Sequence, residues 1–195
     1  MRRQIMIMLL MAITAISFAT EKYDSEKILK KEGAPDSITS QMEAVEVEYI
    51  DYNGKEQKGI LVVNKKLSKE VVEIFKEIKA AGFPIEKIIP ISEYGWDDDK
   101  SMYDNNSSGY NYRFVGGTKK LSNHAYGIAI DINPRYNPMI IGDKVYPPNG
   151  SYCDKNKGTI SADSAVVKIF KKRGWEWGGD YKSLKDYQHF DKVSK

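Results

Sequence analysis

Reactive side chains of two kinds are scarce in this 195-residue chain, which has one cysteine and two histidines. A single cysteine, Cys153, excludes an internal disulfide, so stability must come from an apolar core or a bound metal. No histidine is left over to activate Cys153, which therefore reads as a bland, partly buried thiol. A large charge surplus is missing too: 30 basic residues stand against 27 acidic ones. Without Arg2 and Arg3 the balance falls to 28 against 27, which excludes the basic signature of a nucleic-acid-binding domain, and no nucleic-acid partner is expected. The apolar run from Ile5 to Phe18 is about 15 residues, short of the ~20 that span a bilayer.

That run has the form of a signal peptide. Arg2 and Arg3 supply the basic start, and Ser17-Phe18-Ala19 supplies small residues for cleavage after Ala19. Residues 1–19 are therefore expected to be removed on export, and an uncleaved anchor is the alternative. No cysteine lies near the cleavage site, which argues against a lipid anchor. The mature protein is expected outside the cytoplasmic membrane, periplasmic or extracellular, with no stable membrane insertion. A composition of 41% hydrophobic and 29% charged residues suits a single soluble domain with a real core, and a monomer is expected.

Residues 20–42 are polar and broken by Gly33 and Pro35, and read as a linker or lead-in to a domain spanning 43–195. Alternation of Val45, Val47 and Tyr49 against Glu46, Glu48 and Ile50 predicts a strand, and Asn53-Gly54 a hairpin turn into a second strand at 59–63. Ser68 is a suitable cap for a helix to about Ala81, with Val71, Val72, Phe75 and Ile78 as its apolar stripe. A short strand is expected within 85–91. Residues 93–112 read as a long polar loop bordering a cleft, with an acidic run whose spacing does not fit an EF-hand. Pro134, Pro138, Pro147 and Pro148 predict a second irregular excursion. Asp163 is expected to cap a helix to about Arg173, with Val166, Val167, Ile169 and Phe170 buried, before a last strand near His189. Strands around a few helices without βαβ alternation make the fold class α+β.

The two histidines stand in unusual surroundings. His124 is followed by Asp131 inside the apolar run Ile128-Ala129-Ile130-Asp131-Ile132, where a carboxylate is costly to bury without a cation or full hydrogen bonding. His189 follows Asp186 by three residues. Two imidazoles and a carboxylate are a common catalytic zinc set that leaves a position for water, so His124, Asp131 and His189 are the candidate metal ligands. A structural histidine satisfied by its neighbours is the competing reading. An odd spacing of seven would put His124 and Asp131 on opposite faces of an unbroken strand. Gly127 is the expected place of a turn or bulge that corrects the parity, with His124 before the strand and Asp131 within it. Asp186 could exchange protons with a water and a leaving amine. Arg113 is the candidate cation for an oxyanion or a substrate carboxylate.

The motif Ser122-x-His124-x-x-Gly127-x-Ala129-x-Asp131, followed by Asp186-x-x-His189, resembles the D-alanyl-D-alanine carboxypeptidase family of zinc peptidases. The likeness is strongest to its L-alanyl-D-glutamate endopeptidases, found in phage endolysins. Asn105-Asn106-Ser107, Asn111-Tyr112-Arg113, Asn133-Pro134, Asn137-Pro138 and Gly174-Trp175-x-Trp177-Gly178-Gly179 extend it across roughly 44–191. The resemblance implies a hedgehog-type α+β fold with a central antiparallel sheet. It also implies Zn2+ on His124, Asp131 and His189, and Asp186 as general base and acid. Arg113 becomes a substrate contact, Ser122 a residue lining the site, and Tyr103, Tyr110, Tyr112 and Trp177 aromatic walls of the cleft, though plain core packing is an equal reading for the tryptophans. The substrate class implied is peptidoglycan stem peptides. Carboxypeptidase relatives carry Glu where this chain has Asp186, which tilts the expectation toward endopeptidase cleavage. The rival readings are a D-alanyl-D-alanine carboxypeptidase and a non-catalytic, zinc-containing wall-binding module.

Overall fold

The structure is a computed structural model that describes residues 23–192. The expected signal peptide at 1–19 lies outside the described residues. Two short helices, α1 (Ser25–Leu29) and α2 (Asp36–Thr39), precede the hairpin of β1 (Met42–Ile50) and β2 (Glu56–Asn64). Helix α3 (Ser68–Ala80) follows, then β3 (Lys87–Ile88), α4 (Asp98–Tyr103) and β4 (Asn106–Ser107). A 3-10 turn at Asn123–Tyr126 leads into β5 (Ala129–Asp131) and the hairpin β6 (Met139–Ile141) and β7 (Lys144–Tyr146). Helix α5 (Ala165–Lys171), β8 (Glu176–Trp177), β9 (Lys185–Asp186) and β10 (His189–Asp191) complete the chain. The class is α+β, as expected. In place of one central sheet, the described strands form two pairs and two antiparallel three-stranded sheets, β5-β10-β8 and β7-β6-β9.

The core lies between the β1-β2 hairpin, helices α3 and α5, and sheet β5-β10-β8. Val45, Val47 and Tyr49 all point into it, as their alternation requires. Helix α3 buries Val71, Ile74, Phe75 and Ile78, and Val72 packs at the margin rather than inside. Ser68 is the first helical residue rather than the cap, and its hydroxyl donates to the Lys65 carbonyl at 3.0 Å. Helix α5 is capped by Ser164 rather than Asp163. Its Phe170 stacks on Phe190 with centroids 4.1 Å apart, and both rings are fully buried. Burying a ring of that size is worth roughly 1.5–3 kcal/mol, and here it anchors the strand that carries His189.

Three stretches differ from expectation. The polar lead-in contains α1 and α2, and Ile28, only 1% exposed, fastens it to Met42, Ile60, Val62 and Tyr110. Tyr23, Leu29 and Ile38 pack against the same cluster, so several apolar contacts order a segment whose composition reads as a linker. The region 93–112 is not a solvated loop. Asn105, Asn106, Ser107, Ser108 and Asn111 are buried, and the side chains of Asn105, Asn106 and Ser107 accept from backbone N–H groups. Asn106 accepts from Ile89 N and donates to Ile89 O, both at 2.9 Å. Asn105 accepts from Arg135 N at 2.9 Å. The proline-rich excursion also holds the β6-β7 hairpin, turned at Gly142-Asp143, and β6 in turn pairs with β9.

Gly127 ends the 3-10 turn with φ of 64°, in the left-handed region. A Cβ there would stand 2.6 Å from both Asn64 N and Met42 Sδ. Gly127→Ala should therefore lose at least ~1–3 kcal/mol in denaturant unfolding, because strain and overlap add. A midpoint equal to the parent's would contradict this role.

Candidate metal centre

Three side chains converge from two distant segments. His124 sits on the 3-10 turn, whose capping Ser122 hydroxyl accepts from His124 N at 3.3 Å. Gly127 closes the turn, so the parity problem is solved where the spacing predicted, with His124 before β5 and Asp131 inside it. Asp131 and His189 are direct cross-strand partners in the β5-β10 pair, and such partners share a face. Phe190, next along β10, faces the opposite way into the core.

The atoms are closely matched. Asp131 Oδ2 lies 3.1 Å from His124 Nε2, and Asp131 Oδ1 lies 3.0 Å from His189 Nδ1. The two imidazole nitrogens are 3.2 Å apart. His124 and Asp131 are buried, and the His189 side chain is 13% exposed. The outer nitrogen of each ring is tied elsewhere. His124 Nδ1 donates to the Gly109 carbonyl at 2.6 Å, which turns Nε2 toward Asp131 and His189. His189 Nε2 lies 3.5 Å from Asp191 Oδ2, which also accepts from Asn123 Nδ2 at 2.6 Å. Such outer partners fix ring orientation and raise ligand basicity.

The donor set fits a divalent metal. Three lone-pair atoms within 4.8 Å of one another, two of them imidazole, need a cation or a proton between them. Tetrahedral bonds of 2.0–2.1 Å give donor separations of about 3.3 Å, close to those found here. Burial works against both charges, but the Asp131 carboxylate ends well below its usual range, held by His124 and His189. His189 is raised well above the ordinary imidazole range against the opposing cost of burial, by Asp131 and Asp191.

Asp186 stands beside this cluster on β9, opposite Met139 of β6. Its Oδ1 is buried without a hydrogen-bond partner. Burial, reinforced by the charge of Asp131 and opposed by the two histidines, pushes its carboxyl up to about 6. Gly178 makes the room, since a Cβ there would lie 2.8 Å from Asp186 Cβ. Arg113 is aligned backbone to backbone with Ser122, whose N–H donates to Arg113 O at 3.0 Å. Its guanidinium pairs with Asp98 at 2.8 Å.

The remaining candidates divide. Ser122 is buried and acts as the cap of the His124 turn. Tyr112 is half-buried against the Ile28 cluster, and Tyr110 is inside it. Tyr103 is 60% exposed. Trp177, expected at the cleft, is a core residue at 3% exposure, with its indole N–H given to Tyr187 O at 2.9 Å. The cause is its pairing with Phe190, which carries it inward. Sequence reasoning missed Asp191, although alternation along β10 puts it on the face of His189. It also missed Asn123, Asp98 and Tyr181. The Tyr181 hydroxyl is driven upward by burial and by Asp191, Asp186, Glu176 and Asp131.

Asp186 makes the metal-free protein sensitive to pH. Its folded value of about 6 exceeds the ordinary 3.8, so the fold favours the protonated form. That stability is present below pH ~4 and is lost as pH rises through about 6, on the order of 2–3 kcal/mol. Asp186→Asn in the chelated protein should match the parent near pH 3.5 and exceed it near pH 7.5 in denaturant midpoint. Parallel pH curves for the two proteins would contradict the burial of this carboxyl.

Residues 116–192 match the family model described as D-alanyl-D-alanine carboxypeptidase. The peptidoglycan L-alanyl-D-glutamate endopeptidase CwlK of Bacillus subtilis (strain 168) is 40% identical over 73 residues, 37% of this chain and 40% of that protein. The chain thus matches well under half the length of this curated relative. No solved structure matches the chain. The matched segment contains His124, Asp131, Asp186 and His189.

Proposed function

We propose that this chain is a zinc-dependent peptidase that hydrolyses peptidoglycan stem peptides, with the L-alanyl-D-glutamate bond as its target. The observation that carries the proposal is the pairing of a three-donor metal cluster with a buried, unpartnered carboxylate oxygen of Asp186. Zinc is the metal proposed because two imidazoles and one carboxylate with a place left for water are a common catalytic zinc set. In such a set the ion supplies Lewis acidity and lowers the pKa of its water to about 7.

The chain's own residues supply the rest. His124 offers Nε2 and His189 offers Nδ1, each held in one orientation by its outer partner. Asp186 takes a proton from water at its free Oδ1 and returns it to the departing amine nitrogen. A carboxyl near 6 is well matched to both tasks at neutral pH. Arg113 holds a substrate carboxylate or the developing oxyanion. The proposal extends to a hedgehog-type fold, a monomeric state and export to the cell-wall compartment after removal of residues 1–19.

The description of the matched family favours D-alanyl-D-alanine carboxypeptidase activity as the second reading. Mass spectrometry of purified stem peptides separates the two. The endopeptidase frees the end of L-alanine and exposes a new N-terminal glutamate, whereas the carboxypeptidase releases D-alanine. Asp186→Ala should lose about 10²-fold or more in turnover with its zinc retained. His189→Ala should lose zinc and turnover together. Unchanged hydrolysis in either variant would sink the assignment, and a zinc-bound parent that leaves every stem peptide intact would leave a wall-binding role.

A further inference from the structure

We infer that Asp98 is the positioning residue for Arg113 and that Lys31, from the lead-in before β1, completes its support. The inference rests on the proposed role of Arg113 and adds residues outside the family-matched segment 116–192. Asp98 opens α4, where the Asp97 side chain caps the helix by accepting from Lys100 N at 3.0 Å. Its backbone is thereby fixed. Asp98 Oδ2 takes one edge of the Arg113 guanidinium at 2.8 Å, with the two side chains only 23% and 29% exposed. Asp98 Oδ1 accepts from Asn111 Nδ2 at 3.3 Å. Asn111 is 1% exposed, and its own oxygen accepts from Lys31 Nζ at 3.3 Å. Lys31 Nζ also donates to Trp96 O at 3.4 Å and stands 5.9 Å from the centre of the Trp96 ring.

The chain Lys31–Asn111–Asp98–Arg113 therefore holds one arginine from three separate segments of sequence. A guanidinium is planar, so a carboxylate gripping one Nη orients its remaining donors. Arg113 Nε is buried without a hydrogen-bond partner, so its N–H is shielded from solvent. Ser122 N holds the arginine's carbonyl, which joins this group to the turn that carries His124. The side chain of a residue in the lead-in thus bears on how substrate is held.

The test uses the full chain, zinc-loaded, with 15N-labelled arginine. Five arginines are present, and the Arg113 Nε–H resonance is identified by its loss in Arg113→Lys. It should be dispersed and slow to exchange in the parent. In Asp98→Asn it should collapse to the position and exchange rate of a solvated arginine, with partial recovery in Asp98→Glu. An unchanged resonance in Asp98→Asn, with the fold intact by amide spectrum, overturns the inference. Kinetics provide a second arm: Asp98→Asn should lower kcat/KM for a stem peptide by about tenfold or more, and do nothing further in an Arg113→Ala background. Equal losses in both backgrounds would also overturn it. Lys31→Met should weaken the same resonance while leaving zinc content unchanged. If the parent cleaves no stem peptide, the peptidase reading fails alone, because the resonance still reports whether Asp98 sets Arg113.

Discussion

The pairing of His189 with Asp131 across β5 and β10 is the constraint on which the site depends. It joins a residue near the end of the chain to one in its middle, and its antiparallel register puts both side chains on one face. The same register sends Phe190 into the core against Phe170. A slip of one residue would bury His189 and expose Phe190, so core packing and ligand geometry select the same register. The apolar energy that holds the strand also holds the imidazole.

Around that pair, buried polar side chains do the work that longer sheets do elsewhere. Asn133 accepts from Glu86 N and donates to the carbonyls of Pro84 and Gly158. Asn137 accepts from Ile160 N and donates to the carbonyls of Ile132, Asn133 and Gly158. Together with Asn105 and Asn106 they tie residues 84–89, 105–106 and 158–160 to the segment 132–137 that follows the strand bearing Asp131. A buried amide group left unpaired costs about 1–3 kcal/mol, and in Asn106, Asn133 and Asn137 both the oxygen and the nitrogen are paired. This explains why sheets of two and three short strands suffice to support a site built from side chains far apart in sequence.

The pairing of His124 with Asp131 was legible in the sequence because its signal is local. A carboxylate at position 131 among isoleucines demands a partner, and the parity of its distance from His124 demands a break that Gly127 supplies. The hairpin and both principal helices were legible from periodicity. The polar segments were not. Asn105 and Asn106 have loop composition, and only the positions of Ile89 and Arg135 in space turn them into buried scaffolding. Trp177 and Tyr112 are equally ambiguous, because an aromatic ring serves a core or a cleft with the same composition. Asp98 was hidden for a different reason: in sequence it is one of three consecutive aspartates, and its partner Arg113 is brought to it by the fold.

Metal binding by these three side chains is the claim on which the mechanism stands. X-ray absorption at the zinc edge of protein loaded one to one tests it directly, because the chain has only two histidines and any two-imidazole signal is assigned at once. The expected shell is two imidazole nitrogens and about two oxygens at roughly 2.0–2.1 Å. A shell of oxygen alone, or with a single imidazole, would contradict it.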